Sequence, residues 1–141
     1  MIDFEAIALA DQFLVVINAA IAALLGSAIG WERDRAGKSV GPRTMALVGA
    51  SAAAIVNIGH ILGENAQFGD PTRAMHAIIT GIGFLGAGLI FQTRDSGTKG
   101  VTTAATVFAT AAMGCAVGLG FQIASIGLTI IILIVLRSTH M

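Results

Sequence analysis

The groups best suited to chemistry lie where charged residues adjoin long uncharged runs. Glu32 and Arg33 directly follow the uncharged run from Phe13 to Trp31. A carboxylate beside a guanidinium at such a boundary fits two kinds of site, a structural ion pair or a cation site in which Glu32 helps to hold magnesium. Magnesium prefers oxygen ligands and keeps several of its waters, so one or two carboxylates are enough. The sequence leaves both interpretations open.

A second polar group recurs every four residues in the last uncharged run. Thr102, Thr106 and Thr110 are followed at the same spacing by Gly114 and Gly118, which places all five on one face of a helix. The hydroxyls either line a pore or hydrogen-bond to the backbone of their own helix, as threonine hydroxyls in helices commonly do. No nucleophile has a base at a recognisable spacing, so we predict no enzymatic activity.

The composition indicates what surrounds these groups. Charged residues make up 11% of the 141 residues and hydrophobic residues 55%, whereas about a quarter of a soluble domain is charged. The chain is therefore not an ordinary soluble enzyme. The eight acidic and eight basic residues give a net charge of zero, which argues against a nucleic-acid binder built on a basic surface. We expect the lipid bilayer to be its main surroundings.

The uncharged runs predict an all-α integral membrane protein, because about 20 residues are enough to cross a bilayer. As one helix, the last run from Gly100 to Leu136 would extend roughly 55 Å, so we divide it at the glycines 118 and 120. The predicted spans are 13–31, 44–63, 74–93, 101–118 and 120–136. The prediction is thus a single domain, a bundle of five transmembrane helices, with no soluble C-terminal domain.

The basic residues predict the orientation of this bundle. With five spans, seven of the eight basic residues fall on one side and only Arg73 falls on the other. Basic loops are retained in the cytoplasm. We therefore expect the N-terminus outside and the C-terminus in the cytoplasm.

Small residues predict how the spans pack. The third predicted span contains Gly81, Gly83, Gly86 and Gly88, and membrane helices associate by close backbone approach at such residues. We expect a tight bundle, a homo-oligomer, or both.

Several longer motifs surround these residues. They are Gly30-Trp-Glu-Arg33, Gly37-Lys38, Gly41-Pro-Arg-Thr44, Asp70-Pro71 with Arg73, the run from Thr80 to Gly88, and Gly100-Val-Thr-Thr-Ala-Ala-Thr106. Together they resemble the signature of the MgtC/SapB family of bacterial membrane proteins, over about residues 13 to 136. The five-span layout with a cytoplasmic C-terminus that this resemblance implies agrees with the charge pattern.

The resemblance implies a multi-pass protein of the bacterial cytoplasmic (inner) membrane, linked to growth at low magnesium and to survival inside macrophages. Some family members are reported to restrain the rotary ATP synthase. Thr102 departs from the pattern, because a well-known member has an asparagine there, and a hydroxyl cannot reproduce the hydrogen bonds of an amide. The candidate functional residues are Glu32, Arg33, Gly41, Arg43, Thr44, Asp70, Arg73, Gly83, Gly86, Gly88, Thr102, Thr103 and Thr106.

Two functional hypotheses follow. In the first, the protein is a regulatory subunit whose glycine-rich helices contact another membrane protein, such as the ATP synthase. In the second, it is a permease for magnesium or another cation, with Glu32 and the threonines along the path. The first is favoured, because no acidic residue lies within a predicted span and neutral threonine oxygens are weak ligands for so strongly hydrated an ion.

Overall fold

The computed structural model describes residues 9–66, 70–93 and 97–138. Within them the chain forms five helices and a two-stranded hairpin. The helices are α1 (Leu9–Arg35), α2 (Pro42–Ala66), α3 (Pro71–Leu89), α4 (Val101–Gly118) and α5 (Gln122–Ser138), and the strands are β1 (Phe91–Thr93) and β2 (Gly97–Lys99). The prediction of five helices is confirmed. Arg94, one of the basic residues in the charge comparison, lies outside the described residues, and the orientation stays a prediction.

Three of the helices have the length and composition of membrane spans, and the bundle has an apolar surface. By length and composition, three helical segments in the described part of the chain qualify as spans, namely Leu9–Arg35, Pro42–Glu64 and Val101–Gly118, and the 17-residue α5 is also apolar. Large apolar side chains face outward, among them Phe84 at 82% exposure and Ile123 at 89%. A surface of this kind is stable against lipid tails and unstable in water.

The third helix begins and ends earlier than the predicted span 74–93. It ends at Leu89, and Ile90 is already extended, with φ −93° and ψ 122°. Residues 91–93 then pair antiparallel with 97–99. Gly100 brings the chain back with φ 88°, and a Cβ there would collide with the carbonyl oxygen of Leu89. The absence of charge therefore marked an apolar segment correctly but not the end of its helix.

The other helix ends also differ from the predicted spans, and α1 (Leu9–Arg35) extends four residues beyond 13–31 at each end. The fifth predicted span begins at residue 120, whereas α5 begins at Gln122. Gly120 lies in the turn before it, with φ 84°. Residues with a side chain rarely adopt this left-handed backbone conformation, whereas glycine adopts it without strain.

The centre of the bundle consists of α2 and α4. On one side, Val56 of α2 and Val107 of α4 belong to a buried cluster with Ile78 and Ile82 of α3. On the other side, α2 and α4 share a second buried cluster with residues of α1 and α5. The order across the bundle is therefore α3, then the α2–α4 pair, then α1 and α5.

Glycines allow the central helices to approach closely. A Cβ on Gly118 would lie 2.5 Å from the carbonyl oxygen of Ala53, and one on Gly49 would lie 2.8 Å from that of Ala22. Added atoms on Gly26 and Gly114 would collide with the backbone of Met45 and Gly49 respectively. No side chain fits at these contacts, which is the packing that small residues allow between membrane helices.

Two amide side chains join helices across the bundle. The Nδ2 group of Asn57 donates to the carbonyl oxygen of Gly118 at 3.1 Å, and the Nε2 group of Gln122 donates to Oδ1 of Asn18 at 3.1 Å. Asn18 and Asn57 are both buried. Buried amides in an apolar bundle need such partners, so these residues act as interhelical ties.

Candidate functional site

Three of the five charged candidates, Glu32, Arg33 and Arg43, lie at one end of the bundle, here called the basic end. It comprises the loop 36–41, the end of α1, the hairpin with the start of α4, and the end of α5. These segments lie close together in space. Arg33 of α1 contacts Thr103 of α4, and Ala36 and Arg137 line the same groove. Because successive helices run in opposite directions, these chain segments lie at the same end of the bundle.

Arg33 is the most deeply buried of the charged candidates. Only 3% of it is exposed, and its Nη2 donates to the hydroxyl of Thr103 at 3.4 Å. Its Nε has no hydrogen-bond partner among the described residues. A buried guanidinium with few partners is costly in a low-dielectric interior. The hydrogen bond to Thr103 holds the Arg33 side chain at the junction of α1 and α4.

Glu32 does not pair with Arg33. Consecutive residues on a helix point about 100° apart, and Glu32 is turned toward α5, where it lines a groove with Leu133 and Arg137. Its Oε2 is buried and has no hydrogen-bond partner in the described part of the chain. The ion-pair interpretation is therefore wrong, because Arg33 turns inward to Thr103 instead.

The structure offers Glu32 little help as a magnesium ligand. Within residues 9–66, 70–93 and 97–138, no three His, Cys, Asp or Glu side chains converge. His60 Nε2 lies 3.5 Å from Glu64 Oε1 near the end of α2, and neither residue is at the basic end. Among the described residues, Glu32 is therefore not part of a cluster of three or more such side chains.

The threonines of α4 make hydrogen bonds to their own helix. The hydroxyl of Thr106 donates to the carbonyl oxygen of Thr102 at 2.7 Å, and that of Thr110 donates to Thr106 at 2.8 Å. Thr103, Thr106 and Thr110 are buried, whereas Thr102 is exposed. The bonds of Thr106 and Thr110 fit the second alternative, hydrogen bonding within their own helix. Their hydroxyl protons are already donated to backbone carbonyl oxygens.

The second loop motif surrounds the start of α2. The helix begins at Pro42, and Gly41 supplies the carbonyl oxygen that accepts from the N–H of Met45 at 3.2 Å. Thr44 lies inside the first turn of α2. Arg43 and Thr44 are both exposed.

Asp70 and Arg73 lie at the opposite end of the bundle. Asp70 caps α3, with its Oδ1 accepting from the N–H of Thr72 at 2.8 Å and Pro71 at the first helical position. These hydrogen bonds hold the pKa of Asp70 below its ordinary value, since they stabilise the ionised carboxylate. Arg73 is exposed. The structure therefore separates this pair from Glu32 and Arg33.

The glycines of α3 differ from those of the central helices. A Cβ on Gly81, Gly83 or Gly88 would meet no heavy atom within 4 Å, and one on Gly86 would lie 3.7 Å from Cβ of Ala104. Only Gly86 therefore faces the rest of the bundle. The small size of the other three is not explained by packing within the described chain.

Sequence reasoning missed two features. Gln122, the partner of Asn18, begins α5 and was signalled only by being polar next to an apolar run. The groove between α1 and α5 also escaped notice, because its polar residues lie about 100 positions apart in the chain.

A sequence model described as the MgtC family matches residues 19–141, which is most of the chain. The chain belongs to the MgtC family. No solved structure matches it. This membership confirms the resemblance carried by the loop and helix motifs.

Individual relatives of this MgtC-family chain come from several bacteria. It is 35% identical over 133 residues to an uncharacterised protein of Haemophilus influenzae, covering 90% of this chain and 56% of the relative. It is 35% identical over 130 residues to "Putative magnesium transporter YhiD" of Escherichia coli (strain K12), covering 89% and 60%. It is 40% identical over 97 residues to "Protein MgtC" of Brucella abortus (strain 2308), covering 69% and 39%. The chain thus spans less than two thirds of the length of these relatives.

Proposed function

We propose that this MgtC-family protein is a regulatory subunit of the bacterial inner membrane, acting in adaptation to low magnesium and virulence-type stress. It would bind a helix of another membrane protein along its third helix. The observation that carries the proposal is the open face of α3, where a Cβ on Gly81, Gly83 or Gly88 would meet no heavy atom within 4 Å among the described residues.

The contact surface is a groove between α2 and α3, here called the α2–α3 groove. Two cavities of about 420 and 380 Å³ form it, and both are lined by Val48 and Leu85. Gly81 lines the first and Gly88 the second. The two glycines are seven residues apart, close to two full turns, so they face the same side.

A helix lying in the α2–α3 groove would approach the backbone of α3 at both glycines. Lipid tails give no hydrophobic drive for helices to associate, so close van der Waals contact at small residues supplies most of the attraction. Gly83 is also open but lies about 200° around the helix from Gly81. It is therefore outside this groove, and the contact is assigned to Gly81 and Gly88.

Magnesium transport is the competing function, and the name of the E. coli relative supports it. The geometry of α4 supports it less. The hydroxyls of Thr106 and Thr110 donate to backbone carbonyls, and they are turned into the packed bundle. A cation path would need oxygens free to replace water around the ion.

Photo-crosslinking in native membranes tests the regulatory contact. A photoreactive residue at Leu85 samples the α2–α3 groove, and one at Ile134 samples the exposed face of α5. We expect Leu85 to form an adduct with a different membrane protein in cells grown at low magnesium. A subunit of the ATP synthase in that adduct would identify the partner. Adducts only with a second copy, or none, would contradict the regulatory contact.

Matched leucine substitutions connect the contact to the function. Gly81→Leu and Gly88→Leu should abolish the adduct and growth at low magnesium. Gly127→Leu, on α5, is the control, because a Cβ at Gly127 also meets no atom within 4 Å. It should leave both intact. Equal loss in all three variants would show a general effect of added bulk.

Magnesium flux into sealed proteoliposomes distinguishes the permease. A magnesium dye inside the vesicles reports entry, and the variant Thr102→Ile with Thr106→Val serves as control. We expect no flux from folded, inserted protein. Flux that the double variant abolishes would replace the regulatory proposal with the permease.

A further inference from the structure

A groove at the basic end combines charged and apolar residues from two helices. It has a volume of about 500 Å³ and lies between α1 and α5. We call it the α1–α5 groove, and its main lining residues are Ala28, Trp31, Glu32, Arg35, Leu133 and Arg137. It lies on the far side of the bundle from the α2–α3 groove.

The lining is ordered by depth. Ala28 precedes Glu32 by four residues on α1, and Leu133 precedes Arg137 by four on α5. Each apolar residue is therefore about one helical turn, roughly 5.4 Å, nearer the middle of the bundle. Charged groups form the rim and apolar groups the interior, which is the order of a phospholipid headgroup above its acyl chains.

The rim carries both signs of charge. Arg35 and Arg137 supply two guanidinium groups, which bind phosphate oxygens well. The guanidinium carbon of Arg35 lies 5.5 Å from the ring centroid of Trp31, and Trp31 is exposed as tryptophans at the membrane interface are. These residues place the groove at headgroup depth.

Glu32 provides the feature that selects among phospholipids. Its carboxylate has a buried oxygen, Oε2, without a hydrogen-bond donor in the described part of the chain. Buried carboxylate oxygens are costly unless a donor reaches them. A ligand that brings an N–H donor close to Glu32 would remove this cost.

We propose that the α1–α5 groove is a binding site for phosphatidylethanolamine. The phosphate lies between Arg35 and Arg137, and the primary ammonium donates to Glu32. An acyl chain covers Ala28 and Leu133. The assignment uses none of the residues of the proposed helix contact, so either can fail without the other.

Native mass spectrometry of the full chain in detergent tests the proposal. Phosphatidylethanolamine, phosphatidylcholine and phosphatidylglycerol with identical acyl chains are added at equal concentration, and bound lipid is counted. Phosphatidylcholine has the same phosphate but no N–H donor. We expect the ethanolamine lipid to bind about tenfold more tightly than the choline lipid, the effect of one charge-assisted hydrogen bond.

Variants locate the site. Glu32→Gln should bring the preference for ethanolamine over choline close to one. Arg35→Gln with Arg137→Gln should weaken all three lipids. Lys38→Gln, an exposed basic residue of the same end and outside the lining, should change nothing. Circular dichroism of each variant confirms that it is folded.

Three results would overturn the assignment. Equal binding of the ethanolamine and choline lipids would remove the role of Glu32. Tighter binding of phosphatidylglycerol would show that net charge decides. Displacement of the lipid by an equal concentration of water-soluble glycerophosphoethanolamine would assign the groove to a free phosphate ester.

Discussion

The guanidinium of Arg33, near the end of α1, donates to the hydroxyl of Thr103 in the first turn of α4, with 3.4 Å between Nη2 and Oγ1. The two residues are 70 positions apart in the chain. Both are buried, so the bond joins two helices at a place that water does not reach. It links two of the motifs by which the family is recognised.

Replacing this pair should show an energetic coupling. Arg33→Met and Thr103→Val each remove one partner, and the double variant removes both. We expect a coupling of about 0.5 to 1.5 kcal/mol in the free energy of unfolding, measured in mixed detergent and SDS micelles. Arg43→Met, at an exposed arginine of the same end, is the control and should be nearly neutral. Simple additivity of the two changes would contradict the bond.

Glu32, the neighbour of Arg33 in the chain, should show no energetic coupling to it. Because Glu32 and Arg33 point to different helices, Glu32→Gln and Arg33→Gln should be additive within about 0.5 kcal/mol in the same unfolding measurement. A larger coupling would restore the ion pair that the structure does not show.

Two glycines should respond in opposite ways to the same methyl group. A Cβ on Gly114 would collide with the carbonyl oxygen of Gly49, whereas one on Gly81 meets open space. We expect Gly114→Ala to lower the free energy of unfolding by about 1 to 3 kcal/mol through overpacking. Gly81→Ala should be neutral or stabilising by up to about 1 kcal/mol, because alanine favours the helix. Similar losses at both positions would contradict the packing.

The amide of Asn57 should contribute measurably to the bundle. Asn57→Ala removes the donor to the carbonyl oxygen of Gly118 at 3.1 Å. Interhelical hydrogen bonds in membranes contribute about 0.6 kcal/mol on average and up to about 1.7, so a loss in this range is expected from unfolding curves. Ser51→Ala, at an exposed position of the same helix, provides the comparison. An unchanged midpoint for Asn57→Ala would show that the amide is not a tie.

The cap of α3 should make stability depend on pH. The bond from the N–H of Thr72 lowers the pKa of Asp70 below 3.8, so the carboxylate stabilises the folded state above that pH. The contribution is lost as the pH falls through the lower pKa of the folded state. Asp70→Asn retains a cap without the charge and should lose this dependence. Thermal unfolding between about pH 2.5 and 6 checks it. Identical pH profiles for both proteins would exclude the effect.

The family and the five helices could be predicted from the sequence for physical reasons. Sixteen charges in 141 residues leave few ways to arrange the chain other than with apolar runs in lipid and charges at their ends. Asn18 and Asn57 each form a hydrogen bond to another helix, as is common for amides in membrane spans because an unpaired amide in lipid is costly. The end of α3 was not predictable in this way, since Ile90 and Phe91 are as apolar as the helix before them.

The sequence by itself determined which segments are apolar helices and where charge interrupts them, because charged residue types are costly to transfer into lipid. Only the tertiary structure decided which glycines allow two helices to approach closely. An added Cβ would collide with the backbone of a neighbouring helix at Gly26, Gly49, Gly114 and Gly118. At Gly81 and Gly88 it would meet no heavy atom within 4 Å. The same is true of charge: Glu32 and Arg33 are adjacent in the chain, yet one faces α5 and the other α4. A side chain's neighbours depend on how helices are rotated and packed, and residue type does not specify that rotation.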